Sequence, residues 1–296
     1  MRFLYLTVGI MFLICFSAQA NPLVQKENGA LYVKSATTKE IADIFNEYKF
    51  FNFDKPRGKY PRIYMLKLPS DWQDVPDNNA KQKLFIKILL PLVLRVNEQI
   101  LAERQKLEEI NYSFQQDKKL SEEQLKTLNE LAQKYDVFTR MSGDKRNSIL
   151  LKKLLEKIDV VPPSVMISSA IIYTNWGMSR LARQANSLYL DEIWYEKQGL
   201  VPLDDDKADY RYKVYATLEE CIAARALKIN SHINYDYLRE ARKVARTMNK
   251  PPYGPQLASQ MINDSNLPNI AGLIDYTFTF YQLANVDFYS QLEDVK

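Results

Sequence analysis

The sequence predicts a mainly α-helical protein of the α+β class, with a small extended lobe in its second half. Three observations predict this class. Apolar residues recur at intervals of three and four over long stretches, two segments start with a capping box, and two adjacent prolines open an apolar run rich in small residues. With 296 residues, 46% of them hydrophobic, the chain can bury the core of one large domain or two modest ones.

The first twenty residues predict a secretory signal peptide that is cleaved after Ala20. Arg2 supplies a positive start, residues 3–16 form an apolar stretch that is short for a membrane span, and Ala18-Gln19-Ala20 is a small-x-small cleavage site. We therefore expect a periplasmic or secreted protein with no integral membrane span after cleavage. An uncleaved N-terminal anchor is the alternative interpretation.

Residues 21–149 predict a helical N-terminal region. Its first part, residues 21–29, is polar and predicts a mobile segment. Thr37-Thr38-Lys39-Glu40 has the spacing of a capping box and should begin an amphipathic helix. Residues 63–69 then predict a strand or an extended segment packed on the helices.

Beyond Asp77 the apolar spacing predicts a long helix that continues to Ile110. A bend is expected at Pro91, because proline cannot donate the hydrogen bond that a helix interior requires. Ser121-Glu122-Glu123-Gln124 is the second capping box and should start another helix. A cluster of leucines predicts a further helix near residues 149–158.

Pro162 and Pro163 open the segment around which the rest of the chain is organised. Proline fits the first turn of a helix but not its interior, so the helix should begin at Pro163. Through Ile172 the segment is nearly uncharged, which is typical of a helix buried on most sides, and Trp176-Gly177 should end it. A helix that ends in aromatic and polar residues is well placed to form the floor of a cleft.

The composition excludes several classes of function. A formal net charge of +4 suits an anionic polymer, but it is far from the dense basic patches of a nucleic-acid binder. Cys221 is the only cysteine after the predicted signal peptide, so it cannot form an intramolecular disulfide and is expected to be a small buried hydrophobe. The single histidine, His232, lacks partners at ligand spacing, so we predict no metal, no cofactor, and a helix-terminus hydrogen bond for this side chain.

The segment after Ile172 resembles the core motif of the Bax-type members of the bacterial glucosaminidase family, which reads Glu-Ser-x-Trp-Gly-x-Ser-Arg-x-Ala. The matching positions are Trp176, Gly177, Ser179, Arg180 and Ala182. Family members are peptidoglycan hydrolases with a lysozyme-like fold. The resemblance therefore implies a lysozyme-like, glucosaminidase-like domain over residues 150–296, preceded by the helical N-terminal region.

Three later segments support this resemblance. Residues 185–190 resemble the family's Gly-Asn-Asn-Leu-Phe-Gly, residues 199–202 match its Gly-Leu-Val-Pro, and residues 230–239 match its Asn-Ser-His-x-x-Tyr-x-x-Leu-Arg. Four matches in the right order argue against a chance resemblance. The small extended lobe is expected between residues 185 and 216.

Two departures from the family pattern fall on its chemistry. The family's glutamate, the general acid that protonates the leaving sugar oxygen, is replaced by Tyr173, and Thr174 follows where the family has serine. Residues 260–264 occupy the place of a segment whose tyrosine the family uses at its active site. A phenol with an ordinary pKa near ~10 is a weak acid for this step, and loss of general acid catalysis typically costs roughly 10²–10⁴-fold in rate.

The resemblance and the aromatic residues also indicate where a glycan would bind. The candidate substrate-binding residues are Trp176, Asn186, Tyr189 and Trp194. Trp176 equally suits a role in the core. Glu192 is the fallback acid, although solvated loop charges are the alternative interpretation of Glu192 and its neighbours Asp191 and Glu196.

Three functions remain open from the sequence. The predicted one is an exported pseudoenzyme that binds peptidoglycan glycan strands, with hydrolysis lost or reduced because Tyr173 replaces the acid. The second is an active endo-β-N-acetylglucosaminidase that uses Glu192 or another carboxylate. The third is a non-catalytic scaffold for another cell-wall protein.

Overall fold

The computed structural model describes residues 22–53, 55–76, 78–194, 198–203, 207–258 and 269–296. The predicted signal peptide, residues 260–264 and Glu196 lie outside this part of the chain. Within it, every helix is too short or too polar to cross a membrane.

The described part is mainly helical, with small sheets, as predicted. Its helices are α1 (Thr38–Glu47), α2 (Asn79–Asp117), α3 (Glu122–Lys134), α4 (Gly143–Lys157), α5 (Pro163–Thr174), α6 (Arg180–Ala185), α7 (Leu218–Ser231), α8 (Asp236–Thr247), α9 (Gly254–Ala258) and α10 (Ile270–Tyr281). Its strands are β1 (Leu23–Glu27), β2 (Ala30–Ser35), β3 (Lys59–Pro61), β4 (Ile63–Met65), β5 (Glu192–Trp194), β6 (Tyr210–Tyr212) and β7 (Gln291–Glu293).

The start of the N-terminal region is a sheet, so the prediction of a mobile segment at residues 21–29 is wrong. Strand β1 pairs antiparallel with β2, and β2 pairs parallel with β4. All five residues of β1 are exposed. The strand therefore lacks the apolar alternation by which a half-buried strand is recognised, and only its backbone pairing holds it. Strand β4 confirms the extended segment predicted from residue 63.

Both predicted capping boxes are present. The Thr37 backbone N–H donates to the Glu40 carboxylate at 2.7 Å, and the Ser121 N–H donates to Oε1 of Gln124 at 2.9 Å. Each cap satisfies backbone donors that the first helical turn leaves unpaired. Helices α1 and α3 begin at the residues after these caps.

The long helix α2 is the scaffold on which the others pack, and it contacts α4, α5 and α7. Its N-cap is Asn78, whose side chain accepts a hydrogen bond from the Lys81 N–H at 3.0 Å. The helix runs through Pro91 and past Ile110 to Asp117. Helix α2 belongs to the first predicted region but packs on α5 and α7 of the second, so the division of the chain into residues 21–149 and 150–296 stays a prediction.

The C-terminal end of the described chain is held by strand pairing and hydrogen bonds to the N-terminal region. Strand β7 pairs parallel with β3, and the Val295 N–H donates to the Gly29 carbonyl oxygen at 2.8 Å. Arg62 forms ion pairs with Glu98 at 2.8 Å and with Asp294 at 3.0 Å. The segment that follows the helical domain is therefore bound to the N-terminal region.

The segment that resembles Asn-Ser-His-x-x-Tyr-x-x-Leu-Arg holds helix ends together. The Asn230 side chain donates to the Asp159 carbonyl oxygen at 2.9 Å and accepts from Nη1 of Arg242 at 2.7 Å. Arg239 donates to the His232 carbonyl oxygen at 2.8 Å, and Nδ1 of His232 accepts from a backbone N–H. The predicted helix-terminus hydrogen bond of His232 is therefore confirmed, and these motif residues serve the fold.

Helix α5 begins at Pro163 and is buried along nearly its whole length, as predicted. Its N-terminus is capped by a distant residue. The Asp287 carboxyl group accepts hydrogen bonds from the Ser164 N–H at 2.9 Å, the Ser164 hydroxyl at 2.6 Å and the Gly254 N–H at 2.8 Å. One acidic side chain thus joins the first turns of α5 and α9.

This arrangement predicts a specific pH dependence of stability. Burial raises the pKa of Asp287 from an ordinary value of 3.8 to about 7, although the hydrogen bonds to Ser164 and Gly254 oppose the shift. The folded chain thus binds the proton more tightly than the unfolded chain. The contribution of this proton to the free energy of unfolding is complete below about pH 4. It is lost as the pH rises to about 7, a change on the order of 4 kcal/mol.

Urea unfolding of the wild type and of Asp287→Asn between pH 4 and 8 measures this dependence. At pH 4 the Asn variant is expected to be less stable than the wild type, because its amide nitrogen cannot accept the Gly254 hydrogen bond. The difference between the two unfolding free energies should shrink as the pH rises to about 7. A constant difference over this range would contradict the prediction.

Candidate functional site

The predicted site is the end of α5, where the chain makes an unusual turn. Asn175, Trp176 and Gly177 follow one another with φ of +46°, +61° and +76°. Bulky side chains rarely adopt this left-handed conformation, and such residues persist only where their surroundings hold them. Tyr173 occupies the last full turn of the helix before this left-handed segment.

Hydrogen bonds from both sides hold the turn. The Thr174 hydroxyl donates to the Ala170 carbonyl oxygen at 2.6 Å and accepts from the Gly177 N–H at 2.8 Å. From the N-terminal region, the Trp72 indole N–H donates to the Trp176 carbonyl oxygen at 2.9 Å. Thr174 therefore keeps the hydroxyl group that the family's serine has at this position.

The Trp176 side chain belongs to the core. It is 8% exposed, and its ring lies 4.7 Å from the ring of Tyr281 and 6.1 Å from that of Phe85, both edge-on. Edge-on contacts between aromatic rings are favourable beyond the area they bury. Of the two roles that the sequence left open for Trp176, the structure favours packing.

Behind Tyr173 lies a buried arginine that the sequence analysis did not single out. The Arg225 guanidinium carbon is 6.0 Å from the ring centre of Tyr173, 5.3 Å from that of Tyr189 and 5.6 Å from that of Tyr235. Its Nη1 donates to the Tyr235 hydroxyl at 3.1 Å, and the residue is 1% exposed. We call these four residues the Arg225 cluster.

One sequence signal pointed to Arg225. It occupies the buried face of α7, otherwise formed by apolar residues at helical spacing, among them Leu218, Ile222 and Ile229. A lone charge on an apolar helix face is rarely solvated, and it needs partners inside the protein. Here aromatic rings and a phenol hydroxyl supply them.

The charge of the Arg225 cluster bears directly on proton transfer. A cation within about 4–6 Å favours the ionised form of a carboxyl group and lowers its pKa by roughly 1–3 units. A general acid must instead hold its proton until the leaving group needs it. A carboxyl group in the place of the Tyr173 phenol would lie near this cation, which favours the ionised form.

The turn after α6 is fixed by buried side chains. The Asn186 amide donates to the carbonyl oxygens of Tyr215 at 2.9 Å and Ala216 at 3.1 Å, and the residue is 7% exposed. Tyr189 is 3% exposed, and its hydroxyl donates to the Met166 carbonyl oxygen at 3.3 Å. The structure therefore gives Asn186 and Tyr189 little surface to offer a glycan directly.

Asp191 has a structural partner on each oxygen. Its Oδ2 accepts from the Tyr215 hydroxyl at 2.7 Å, and its Oδ1 lies 3.6 Å from Nζ of Lys228. Burial, followed by the charge of Asp191, raises the pKa of Tyr215. Nearby, burial raises the pKa of the Cys221 thiol, which is fully buried as predicted.

The small lobe predicted between residues 185 and 216 contains an antiparallel ribbon of β5 and β6. Glu192 is opposite Tyr212, and Trp194 is opposite Tyr210. Residues opposite each other, and every second residue along a strand, share a face. The rings of Trp194 and Tyr210 are 5.2 Å apart, and those of Tyr210 and Tyr212 are 5.5 Å apart. We call these three rings the ribbon aromatic face.

Trp194 is the predicted substrate-binding residue that the structure leaves exposed, at 54% of its surface. Glu192 lies on the same face of the ribbon and is also exposed. This exposure fits the interpretation of Glu192 as a solvated charge. Tyr210 and Tyr212 were not predicted as site residues, because their place beside Trp194 depends on strand register.

The described residues contain no group of three or more His, Cys, Asp or Glu side chains arranged to hold a metal ion. The site is therefore defined by a left-handed Trp-Gly turn, a buried tyrosine-arginine cluster and an aromatic ribbon on a mainly helical fold. Of these features, the Trp-Gly turn lies in the segment whose residues resemble the glucosaminidase motif.

Comparisons with known proteins agree with this resemblance. Residues 150–267 match the model of the glucosaminidase family, described as mannosyl-glycoprotein endo-beta-N-acetylglucosaminidase. Over 176 residues the chain is 27% identical to Protein bax of Escherichia coli (strain K12), covering 60% of each chain. The chain is therefore glucosaminidase-like over residues 150–267 and similar to a Bax protein, which confirms the resemblance inferred from the sequence.

A solved structure is also similar to this chain. It is the catalytic domain of the autolysin Auto from Listeria monocytogenes, with a TM-score of 0.37 and 14% sequence identity. The match covers 72% of this chain and 90% of that domain.

The family match supports a peptidoglycan-related, glycoside-hydrolase-like function. It is also compatible with an extracellular or periplasmic location. The chain spans 60% of the length of the curated relative that it matches.

Proposed function

We propose that this chain is an exported cell-wall protein that binds peptidoglycan glycan strands and has lost most or all hydrolysis. The observation that carries the proposal is the Arg225 cluster. Where the family has a carboxylic acid, the chain has Tyr173, with the buried Arg225 guanidinium 6.0 Å from its ring centre.

The reaction explains why this position matters. Cleavage of a β-linked N-acetylglucosaminide needs a proton on the leaving oxygen, while the N-acetyl group of the substrate can stabilise the sugar cation. The enzyme must therefore supply at least one carboxylic acid. A phenol is a far weaker acid than a carboxyl group, so Tyr173 does not replace it, whereas binding of the glycan needs no proton transfer at all.

The ribbon aromatic face is the proposed binding surface. Its rings present apolar bodies with polar tips, which suit the mixed apolar and hydroxylated faces of sugars. Trp194 is the most accessible part of this surface. Tyr173 and Tyr189 are buried, so we do not expect their rings to contact the glycan.

Binding is tested with Trp194→Ala. Loss of one exposed aromatic contact is expected to weaken co-sedimentation with purified sacculi by about tenfold, which corresponds to about 1.4 kcal/mol. Tyr112→Ala is the matched control, since Tyr112 on α2 is 67% exposed and lies outside the ribbon. Wild-type protein that stays in the supernatant would contradict glycan binding and favour the scaffold function.

Hydrolysis is tested on the same sacculi by measuring released reducing ends. The wild type is expected to release few or none. The second candidate function is an active enzyme. The observation that favours it is that Glu192 shares a face of the ribbon with Trp194. Substantial release by the wild type that is abolished in Glu192→Gln would support that enzyme and overturn the loss of hydrolysis.

A further inference from the structure

Helix α10, which lies beyond the family-matched residues, carries an exposed apolar stripe. Leu273, Tyr276 and Phe280 are 42%, 63% and 63% exposed, at the i, i+3 and i+7 spacing of one helix face. The opposite face is buried through Ile274 and Phe278. Scattered exposed apolar residues are ordinary, but a contiguous stripe of them indicates a contact surface.

The stripe is continuous with the Trp-Gly turn. The rings of Tyr276 and Phe280 are nearly parallel at 5.7 Å, Phe280 lies 4.8 Å from Tyr281, and Tyr281 lies 4.7 Å from Trp176. The Tyr281 hydroxyl donates to Oε1 of Gln82 on α2 at 2.9 Å. The exposed pair is therefore the outer end of a row of rings anchored in the core, which we call the α10 aromatic row.

We propose that the α10 aromatic row is a second contact for the glycan, separate from the ribbon aromatic face. This inference rests on the proposed function and extends it from one binding surface to two. A polymer that reaches both surfaces would bind more strongly than through either surface alone, without a new ligand.

The composition of α10 argues against other occupants. The helix contains no lysine or arginine, whereas helices that lie on membrane surfaces carry these cations on their polar face. The stripe consists of three side chains, while a stable dimer buries about 800 Å² per partner through roughly 20–30 residues. Aromatic rings bordered by the exposed Asp275 instead suit a ligand with apolar ring faces and hydrogen-bonding groups.

The test uses the full chain and two probes, purified sacculi and soluble N-acetylglucosamine oligomers. Tyr276→Ser combined with Phe280→Ser is expected to weaken binding to sacculi by about tenfold. The matched control is Phe138→Ser combined with Tyr237→Ser, at residues 71% and 73% exposed on other elements. This control and a ring-preserving pair, Tyr276→Phe with Phe280→Tyr, should bind like the wild type, and circular dichroism checks that each variant is folded.

If the serine pair binds sacculi as tightly as the wild type while Trp194→Ala binds more weakly, the α10 contact is overturned and the proposed function stands. If instead the serine pair abolishes binding to lipid vesicles, or converts a dimer to a monomer, a different occupant is identified and the inference fails. Failure of the wild type to bind either glycan probe would remove the proposed function itself.

Discussion

Replacing Gly177 by alanine is expected to lower the free energy of unfolding by about 2–5 kcal/mol. Two costs add in this estimate: roughly 1–2 kcal/mol for a side chain in the left-handed region and roughly 1–3 kcal/mol for overpacking. A Cβ atom at Gly177, where φ is +76°, would lie 2.8 Å from Phe85, 2.9 Å from Leu68 and 2.9 Å from Trp72. All three neighbours belong to the N-terminal region, so the clash falls where both parts of the chain meet.

Gly143→Ala separates the two costs. Gly143 also has a positive φ, of +57°, but a Cβ there meets nothing within 4 Å. We expect this control to lose only about 1–2 kcal/mol. Urea denaturation of both variants measures the difference. Equal losses would mean that the packing around the Trp-Gly turn relaxes freely and does not constrain it.

The second large effect concerns activity. Tyr173→Glu alone is expected to release few reducing ends from sacculi, because Arg225 would hold the new carboxyl group in its ionised form. Adding Arg225→Gln removes this charge and keeps a donor for the Tyr235 hydroxyl. The double variant is expected to gain roughly 10²-fold over the wild type, the lower end of what a general acid contributes.

The control for this gain is Tyr173→Gln with Arg225→Gln, which has a similar shape and no acid. Reducing ends released by each variant are compared between pH 5 and 8. If Tyr173→Glu alone releases as many reducing ends as the double variant, Arg225 does not control the protonation of the new carboxyl group. If the double variant with Tyr173→Glu is as inactive as the control with Tyr173→Gln, further groups needed for hydrolysis are missing from the cleft.

The sequence predicted the local features of the fold well, because their causes lie within a few residues. The capping boxes at Thr37 and Ser121 satisfy donors three residues away, and Pro163 fixes the start of α5 by its own geometry. The β1 strand was missed for the opposite reason. Its residues are all exposed, so its only cause is a backbone pairing that leaves no apolar pattern.

The site was predicted less well, because a motif gives residue identity but not the direction of a side chain. Asn186 and Tyr189 match family positions, yet the fold uses them for hydrogen bonds to the backbone. Arg225 is separated from Tyr173 by 52 positions in the chain and becomes its neighbour only when α7 packs near the end of α5. The ribbon aromatic face likewise depends on strand register, which the sequence does not specify.

The hydrogen bond from Trp72 to the Trp176 carbonyl oxygen has an evolutionary consequence. Mutations that disturb the Trp-Gly turn are expected to destabilise the fold, so selection for a folded protein would remove them whether or not the protein hydrolyses glycans. A substitution that removes only a proton donor leaves the packing intact, so it is not removed for this reason. A hydrolase built this way can change its catalytic residue while its framework remains recognisable, and a motif scan would then report ancestry rather than present chemistry.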